Sequence, residues 1–255
     1  MKKFLFKFIP WLIPIIVVLV WQLSANAGWL KEAILPSPIQ VIEKTIQLWN
    51  SGKLEKNIAV SLYRATAGLL LGGSIGFLLG LANGLSKISR SISNSTIQMV
   101  RNIPHLALVP LFILWFGIGE PAKILLVALG TMFPIYVNTY SGIKDVDPDL
   151  IEMGHVYQFS NWQLFKEIIF PAALPSVLVG LRYALGIMWT TLIVSEQVNA
   201  KSGLGYMAMN AQQFADTKTI VLVVIIYAIL GKLSDSIAKF LEDDLLTWRQ
   251  REVIA

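Results

Sequence analysis

The sequence has no cysteine and few charged residues, and both shortages restrict what the protein can do. Without cysteine the chain has no disulfide, no thiol nucleophile and no thiolate metal ligand, and its two histidines, His105 and His155, give no basis for a zinc site. Charged residues make up 15% of the 255 residues and hydrophobic ones 55%, whereas soluble domains carry roughly a quarter charged residues. The apolar surplus indicates contact with a lipid bilayer.

The net charge of +5 does not indicate a nucleic-acid partner. Lysine and arginine lie between apolar runs rather than on one basic face with interleaved aromatic residues, which is the pattern expected for nucleic-acid binding. Positive charge is instead compatible with a membrane that carries anionic headgroups.

Six apolar runs are long enough to cross the hydrocarbon core, which takes about 20 helical residues. We therefore predict an all-α integral membrane protein with about six transmembrane helices, forming a single transmembrane domain over 1–255. Within it, 1–57 holds the first span and an amphipathic segment, and 58–240 holds the core spans. The six runs cover 8–27, 61–85, 97–118, 122–143, 175–198 and 219–240.

The first run has a second interpretation, because Lys2 and Lys3, a short apolar stretch and Ala25-Asn26-Ala27 are also typical of a cleavable secretory signal. Either interpretation gives the same orientation downstream. The distribution of basic residues modestly favours both termini in the cytoplasm. Basic residues on that side are Lys2, Lys3, Lys7, Lys87, Arg90, Lys144, Lys166, Arg249 and Arg251, against Lys31, Lys44, Lys53 and Lys56 outside.

The loop after the first run contains four large apolar residues at helical spacing, behind Pro36 and Pro38. They predict an amphipathic helix that either lies on the membrane surface or packs on the rest of the protein. These residues are Ile39, Ile42, Ile46 and Trp49.

Glycine recurs every four residues along the second run. One helical face therefore has almost no side chains, and a neighbouring helix can approach closely. We predict a packing seam here, either fixed inside one subunit or sliding during function. The glycines are Gly68, Gly72, Gly76, Gly80 and Gly84.

The third run is the predicted wall of a solute pathway. Pro104 and Pro110 interrupt it and free backbone carbonyls that lipid cannot satisfy, which is tolerated where a helix faces protein or a wet cavity. The same segment contains His105, Trp115 and Glu120. A histidine here either hydrogen-bonds a neighbour or contacts solute.

The fifth run supplies three further candidates. Arg182 lies about seven residues into the run, so it must pair, extend to the interface or face water. Glu196 at the end of the run either pairs with a cation or forms part of the outer mouth. Trp189 is a candidate solute contact together with His105 and Trp115.

A long polar insertion with its own structure separates the fourth and fifth runs. Asp147-Pro148-Asp149 predicts a helix start, with a short helix over 151–157. Ser160 or Asn161 is the predicted cap of a second helix that runs to Ile169. Pro171 and Pro175 are expected to end this second helix before the fifth span.

This insertion resembles the cytoplasmic "EAA" loop of ABC-importer permeases, whose pattern is E-A-A, three residues, G, nine residues and I-x-L-P. Glu152 occupies the acidic position, Gly154 the second alanine position, and Ile168 and Pro171 close the motif at the expected spacing. The loop over 145–171 is thereby implied to contact an ATPase.

Two positions in the loop depart from the pattern. Gln158 replaces the glycine and Phe170 replaces the leucine before the proline. Glycine normally permits the turn between the two short helices, so either the loop bends differently or Gln158 adopts a positive φ at some cost. Phe159 and Trp162 complete the candidate coupling residues.

The wider resemblance is to the nitrate, sulfonate and taurine branch of these permeases, and most of all to aliphatic-sulfonate permeases. It rests on the segments "LPSP", "SLYRATAG", "ILWFGIGEPAKI", "GLGYM" and "ALPSVLVGLRYALGIMWTTLIVSEQ". The resemblance implies a homodimer in the cytoplasmic membrane, a cytoplasmic ATPase dimer that binds ATP and magnesium, and an extracytoplasmic solute-binding protein. An aliphatic sulfonate is the implied solute, with taurine, nitrate, bicarbonate or a pyrimidine precursor as alternatives.

The chain itself shows no nucleotide site and no catalytic cluster. It lacks the G-x-x-x-x-G-K-[ST] phosphate cradle, since Ser51-Gly52-Lys53 has no upstream glycine of that motif. We therefore predict a transport subunit rather than an enzyme, without a cofactor of its own. An ion-coupled secondary transporter is the alternative of another class, but spans one to five show no mid-membrane carboxylate for a coupling ion.

Overall fold

A computed structural model describes the backbone of residues 2–198 and 200–248, and the side chains of these residues from residue 12 onward. All regular elements in these ranges are helices, as predicted. In chain order they are α1 (Lys2–Asn26), α2 (Pro38–Asn50), α3 (Lys53–Leu85), α4 (Lys87–Arg101), α5 (Val109–Phe116), α6 (Glu120–Lys144), α7 (Pro148–Val156), α8 (Asn161–Leu164), α9 (Phe170–Gln197), α10 (Leu204–Gln213) and α11 (Thr217–Leu245).

Among the described residues, four helical stretches are long and apolar enough to cross a membrane, which makes the chain a multi-pass membrane protein. They are α3, α6, the continuous stretch Asn161–Gln197 and α11. A bent pair over 87–116 could count as a fifth. The described apolar part of α1, Leu12–Asn26, is shorter than these. The predicted count of about six spans is therefore not confirmed.

The third predicted run is interrupted, as its prolines indicate, but the break falls at only one of the two prolines. A bend of 82° separates α4 from the helical stretch His105–Phe116. The break falls at Pro104, which is extended at φ −60° and ψ 102°. Pro110, in contrast, lies in the first turn of α5, where its missing N–H would have no partner anyway.

The expectation that Pro171 and Pro175 end a helix is wrong. A π-helical turn over Phe165–Ile169 joins α8 to α9, and the Phe170 N–H bonds to the Phe165 carbonyl. Pro171 then lies in the first turn of α9, and Pro175 lies inside it. Single π turns inside a helix change its hydrogen-bond register, so the helix continues through Pro171 instead of stopping there.

The chain divides into two compact units. Residues up to 60 with 201–228 form the first unit, and 61–200 with residues from 229 onward form the second. In the first unit, α2 begins with a capping box in which the Ser37 side chain and the Gln40 side chain bond each other's backbone. Its four large apolar residues are all exposed, which favours the membrane-surface alternative. They are Ile39, Ile42, Ile46 and Trp49.

The predicted glycine seam packs α3 against α6 in the second unit. A Cβ built at Gly68 would lie 2.5 Å from Val127, and one at Gly80 would lie 2.6 Å from Thr139. At Gly72 it would overlap the backbone carbonyl of Ala128. Only glycine permits this approach. Because α3 and α6 belong to the same chain, the seam lies inside one subunit.

A second close approach joins α6 to α9. A Cβ at Gly180 of α9 would lie 2.7 Å from the Asn138 side chain, and one at Gly142 of α6 would lie 2.7 Å from Ser176. The Ser176 hydroxyl donates to the Asn138 carbonyl at 2.8 Å. Helix α6 is therefore clamped between α3 and α9.

Candidate functional site

A buried ion cluster joins α3, α6 and the end of α9; we call it the polar end. Arg64 is 1% exposed, and its guanidinium donates to Glu120 at 2.6 Å and to Glu196 at 2.8 Å. The Ser61 hydroxyl donates to both oxygens of Glu196 at 2.8 Å. The Glu196 side chain is fully buried, whereas that of Glu120 is half exposed. The cluster satisfies a buried arginine with two carboxylates.

Glu196 pairs with a cation at the polar end, which is one of its two predicted alternatives. The cation itself, Arg64, is missing from the sequence-based candidates. An ionisable residue inside an apolar run is a functional suspect by default, and this rule selects Arg64 in "SLYRATAG" as readily as it selects Arg182.

Arg182 is also paired. Its guanidinium donates to Asp235 of α11 at 2.6 Å, and Lys232 lies 3.4 Å from the other oxygen of the same carboxylate. The Arg182 side chain is about half exposed. Arg182 and Lys232 therefore share one carboxylate, and the group of three side chains keeps one net positive charge.

The pathway candidates of the third and fifth runs separate into buried and exposed groups. The His105 Nε2 atom lies 3.0 Å from the Thr191 hydroxyl, so this histidine has a hydrogen-bonded neighbour. Trp189 is 7% exposed, and its indole donates to Ser234 at 2.9 Å. Trp115 is exposed and packs edge-on against Phe116. Their role as solute contacts stays a prediction.

The loop over 145–171 folds around its own small core. Leu164 and Ile168 are buried with Val146, and Phe159 packs against them. Gly154 faces this core, since a Cβ there would lie 2.5 Å from Leu164 Cδ1. The helix caps agree with the sequence: Asp147 accepts from the Asp149 N–H, and Ser160 accepts from the Gln163 N–H.

Gln158 adopts the positive φ that was one of the two alternatives, at +58°. The Gln158 N–H bonds to the His155 carbonyl and the Phe159 N–H to the Gly154 carbonyl, at 2.9 and 3.0 Å. This pattern is a Schellman helix end, which usually has glycine at the left-handed position. The turn of the family pattern is therefore made without its glycine.

Four apolar side chains cover the outside of this loop, and we call them the outer face. None of them packs into the core formed by Val146, Leu164 and Ile168. The exposed fraction is 69% for Trp162 and 80% for Val156. Glu152 lies on the same exposed helix. The outer face consists of Met153, Val156, Tyr157 and Trp162.

A chain of aromatic rings leads from the outer face into the helices. Trp162 lies 5.7 Å from Phe165, and Phe165 lies 5.7 Å from Phe170. Phe170 in turn meets Phe77 of α3 edge-on at 6.5 Å. The loop is thus packed onto both α9 and the glycine-seamed helix α3. Displacing the loop would therefore displace side chains of both helices.

Comparison with known proteins agrees with this geometry. Residues 72–246 match the family described as binding-protein-dependent transport system inner membrane component. The aliphatic sulfonates transport permease protein SsuC of Escherichia coli is 51% identical over 97% of this chain and 94% of its own length. SsuC of Bacillus subtilis is 43% identical over 93% and 86%. The taurine transport permease TauC of Escherichia coli is 33% identical over 91% and 86%.

Solved structures share the fold at low sequence identity. A chain of an amino acid ABC transporter has a TM-score of 0.65 at 16% identity and covers 78% of this chain and 97% of that chain. A chain of the inward-facing MetNI methionine ABC transporter has a TM-score of 0.54 at 19% identity and covers 78% and 98%.

Proposed function

This chain belongs to the family of binding-protein-dependent transport inner-membrane components, and we propose that it moves a small aliphatic sulfonate across the cytoplasmic membrane. It is a permease subunit and not an enzyme. The whole chain, 1–255, acts as one permease domain. The energy comes from ATP hydrolysed by a separate subunit.

The choice of an aliphatic sulfonate rests on graded similarity. Relatives named for aliphatic sulfonates are 51% and 43% identical to this chain. The relative named for taurine is 33% identical, and the one named for formylaminopyrimidine is 32% identical. Taurine, nitrate, bicarbonate and a pyrimidine precursor are the competing solutes, because scaffold similarity alone does not fix a ligand.

One observation supports the coupling role of the loop more than any other. Its core is closed by Leu164 and Ile168, yet the outer face stays exposed. Exposed apolar clusters on a folded element are typical of protein-binding surfaces. The outer face therefore suits a groove on a cytoplasmic ATPase, with Glu152 at its edge.

The complete transporter in this proposal has two copies of the chain, two ATPase subunits holding ATP and magnesium, and a solute-binding protein outside. Closure of the ATPase on nucleotide displaces the loop as a rigid body. The continuous helix past Pro171 and the rings of Phe165, Phe170 and Phe77 favour transmission of that displacement to α9 and α3. The helices then move between outward- and inward-facing states.

The solute path in this proposal runs near α5, α6 and α9. His105, Trp115 and Trp189 remain its candidate contacts. Arg182 is a poorer partner for a sulfonate than its charge alone suggests, because it already donates a hydrogen bond to Asp235 and forms an ion pair with it.

The test is uptake of labelled ethanesulfonate into liposomes that contain the chain, an ATPase from the same gene neighbourhood and the matching binding protein. We expect ATP-dependent uptake that excess alkanesulfonate suppresses more strongly than taurine or nitrate. Trp162→Ala should reduce both uptake and ATPase retention. Lys87→Gln, which lies outside the loop, is the matched surface control.

Two results would overturn the proposal. Uptake by the isolated chain, driven by an ion gradient without ATPase, would make it a secondary transporter. Preferential suppression by taurine or nitrate would leave the machinery intact but assign a different solute.

A further inference from the structure

The first unit contains a partly enclosed cavity of about 500 Å³ that the transport proposal does not use. It lies between α2, the start of α3 and α10. Its wall combines lysines with apolar and hydrogen-bonding side chains. A volume of this size is in the range of small-molecule sites. The cavity is remote in sequence from the coupling loop.

The segments around the cavity are fixed to each other. The Gly203 N–H donates to Asn57 Oδ1 at 2.7 Å, which holds the start of α10 on the start of α3. Lys201 is thereby held beside Lys53 and Lys56, although about 145 residues separate these positions in the sequence. The basic wall is a product of tertiary structure.

The charge of this wall is largely uncompensated. Lys44 is 2.9 Å from Asp216. Burial opposes ionisation of Asp216, but hydrogen bonds from Lys44 and Thr219 hold its pKa below the ordinary value, so it is ionised at neutral pH. In the part of the chain that the structure describes, no ion pair joins Lys53, Lys56 or Lys201 to a carboxylate. Like charges around one cavity favour an anion.

The rest of the wall is suited to an apolar chain. Leu48, Met207 and Phe214 line the cavity together with the lysines. Tyr206 and Asn210 add hydrogen-bonding groups. An inorganic anion would leave the apolar part of this wall in contact with water, whereas an anion with a short alkyl chain would cover it.

We propose that this cavity binds an anion that carries an apolar chain. Lys53, Lys56 and Lys201 hold the anionic group, and the apolar chain packs on the wall formed by Leu48, Met207 and Phe214. An alkylsulfonate arriving for transport has this chemistry, and naming it rests on the proposed function. An anionic lipid has the same chemistry, a charged headgroup on an apolar chain. A lipid neighbour is also expected, because α2 exposes an apolar face beside the cavity.

The test measures acetylation rates of individual lysines by mass spectrometry, on the full chain in discs of neutral lipid. Butanesulfonate is the probe, sodium chloride at equal ionic strength controls for screening, and butanol controls for the apolar chain. At about ten times Kd, acetylation of Lys53, Lys56 and Lys201 should slow on the order of tenfold, since only the free fraction reacts. Lys87 and Lys166, both exposed and outside the cavity, should keep their rates.

Chain length and variants sharpen the result. Affinity should rise from methanesulfonate to butanesulfonate, by at most roughly fourfold for each methylene buried. A variant combining Lys53→Gln and Lys56→Gln should lose the protection of Lys201. The matched variant combining Lys87→Gln and Lys166→Gln should retain it.

Anionic lipid is tested in a second set of discs that contain phosphatidylglycerol and no sulfonate. Protection there, without protection by butanesulfonate in neutral discs, would identify a lipid headgroup as the anion. Absence of protection in both sets, equal protection by chloride, or slowing of every lysine alike would overturn the proposal. No ATPase is present in this experiment, so its failure would leave the uptake result untouched.

Discussion

The polar end and the loop over 145–171, both in the second unit, differ in how much of their side chains the chain itself covers. At the polar end, Arg64 and Glu196 are buried and their charges are neutralised within the chain. In the loop, a closed core lies beneath Trp162 and three other apolar side chains that remain exposed. The charges of the first region are paired within the single chain, whereas the second region leaves an apolar surface open to a binding partner. Substitutions in the first should change stability, and substitutions in the second should change partner binding.

The largest effect is expected for Arg64→Met. This change leaves the fully buried Glu196 carboxylate without its arginine, and losing one member of a buried pair costs about 3–5 kcal/mol. The free energy of unfolding in a denaturant titration measures the cost. Neutralising the remaining acid as well, with Glu196→Gln, should recover part of the loss. An unchanged midpoint for Arg64→Met would mean that the polar end is not a stability element.

Glu120→Gln is the internal control for this cluster. Its side chain is half exposed, so water replaces part of the lost interaction. The loss should be clearly smaller than for Arg64→Met.

The second-largest effect is expected in the glycine seam between α3 and α6. Gly72→Ala places a Cβ against the Ala128 carbonyl, which is backbone and cannot move aside cheaply. Overpacking of this kind costs about 1–3 kcal/mol. Gly186→Ala is the matched control, because a Cβ there meets nothing within 4 Å. Equal stability of the two variants would contradict the seam.

The third prediction separates two aromatic residues of the loop. Trp162→Ala should leave unfolding within about 0.5 kcal/mol, as is usual for surface positions, but reduce co-purification of the ATPase. Phe159→Ala removes packing from the loop core and should cost about 1–3 kcal/mol, because the residue is only partly buried. If Phe159→Ala alone lost the ATPase, the outer face would not be the contact.

The smallest effect is expected at Gln158. Restoring glycine at φ +58° should change stability by less than about 1 kcal/mol, since relief of strain is offset by the greater freedom of the unfolded chain. Gln158→Val should be less stable, by about 1–2 kcal/mol, because a β-branched residue resists the left-handed conformation. Thermal unfolding of both variants checks the order. Equal midpoints would mean that the turn changes conformation on substitution.

Local signals in the sequence predicted much of this fold. The glycine repeat from Gly68 to Gly84 indicated the seam, and Asp147 and Ser160 indicated the helix starts of the loop. Each depends on residues a few positions apart, whose backbone geometry their neighbours determine. The prolines were less informative. Pro104 interrupts the helical path, but Pro171 does not. A π turn directly before Pro171 changes the hydrogen-bond register, so the helix tolerates a residue without an N–H there.

The candidate sites show the same division. The spacing of Glu152, Gly154, Ile168 and Pro171 is enough to show that the loop over 145–171 resembles the EAA loop, and its coupling role stays a prediction. Arg64 was not among the candidates, although the rule that selected Arg182 applies to it equally. The sequence could not identify its two partners, which lie 56 and 132 residues away along the chain. Nothing local distinguishes an arginine that will be buried between two helices from one that reaches the interface.

Composition and apolar run length alone determined that this protein is a helical membrane protein, because lipid imposes length and polarity on each span separately. The resemblance of its motifs to ABC-importer permeases indicated the family, which the comparisons confirm. Tertiary structure decided which charges form ion pairs, which prolines lie inside a continuous helix and which loop aromatics stay exposed. It also placed Lys201 in the same cavity wall as Lys53 and Lys56. These outcomes depend on residues that are far apart in the sequence and that only folding brings into contact. The order of residues along the chain does not show which of them will meet.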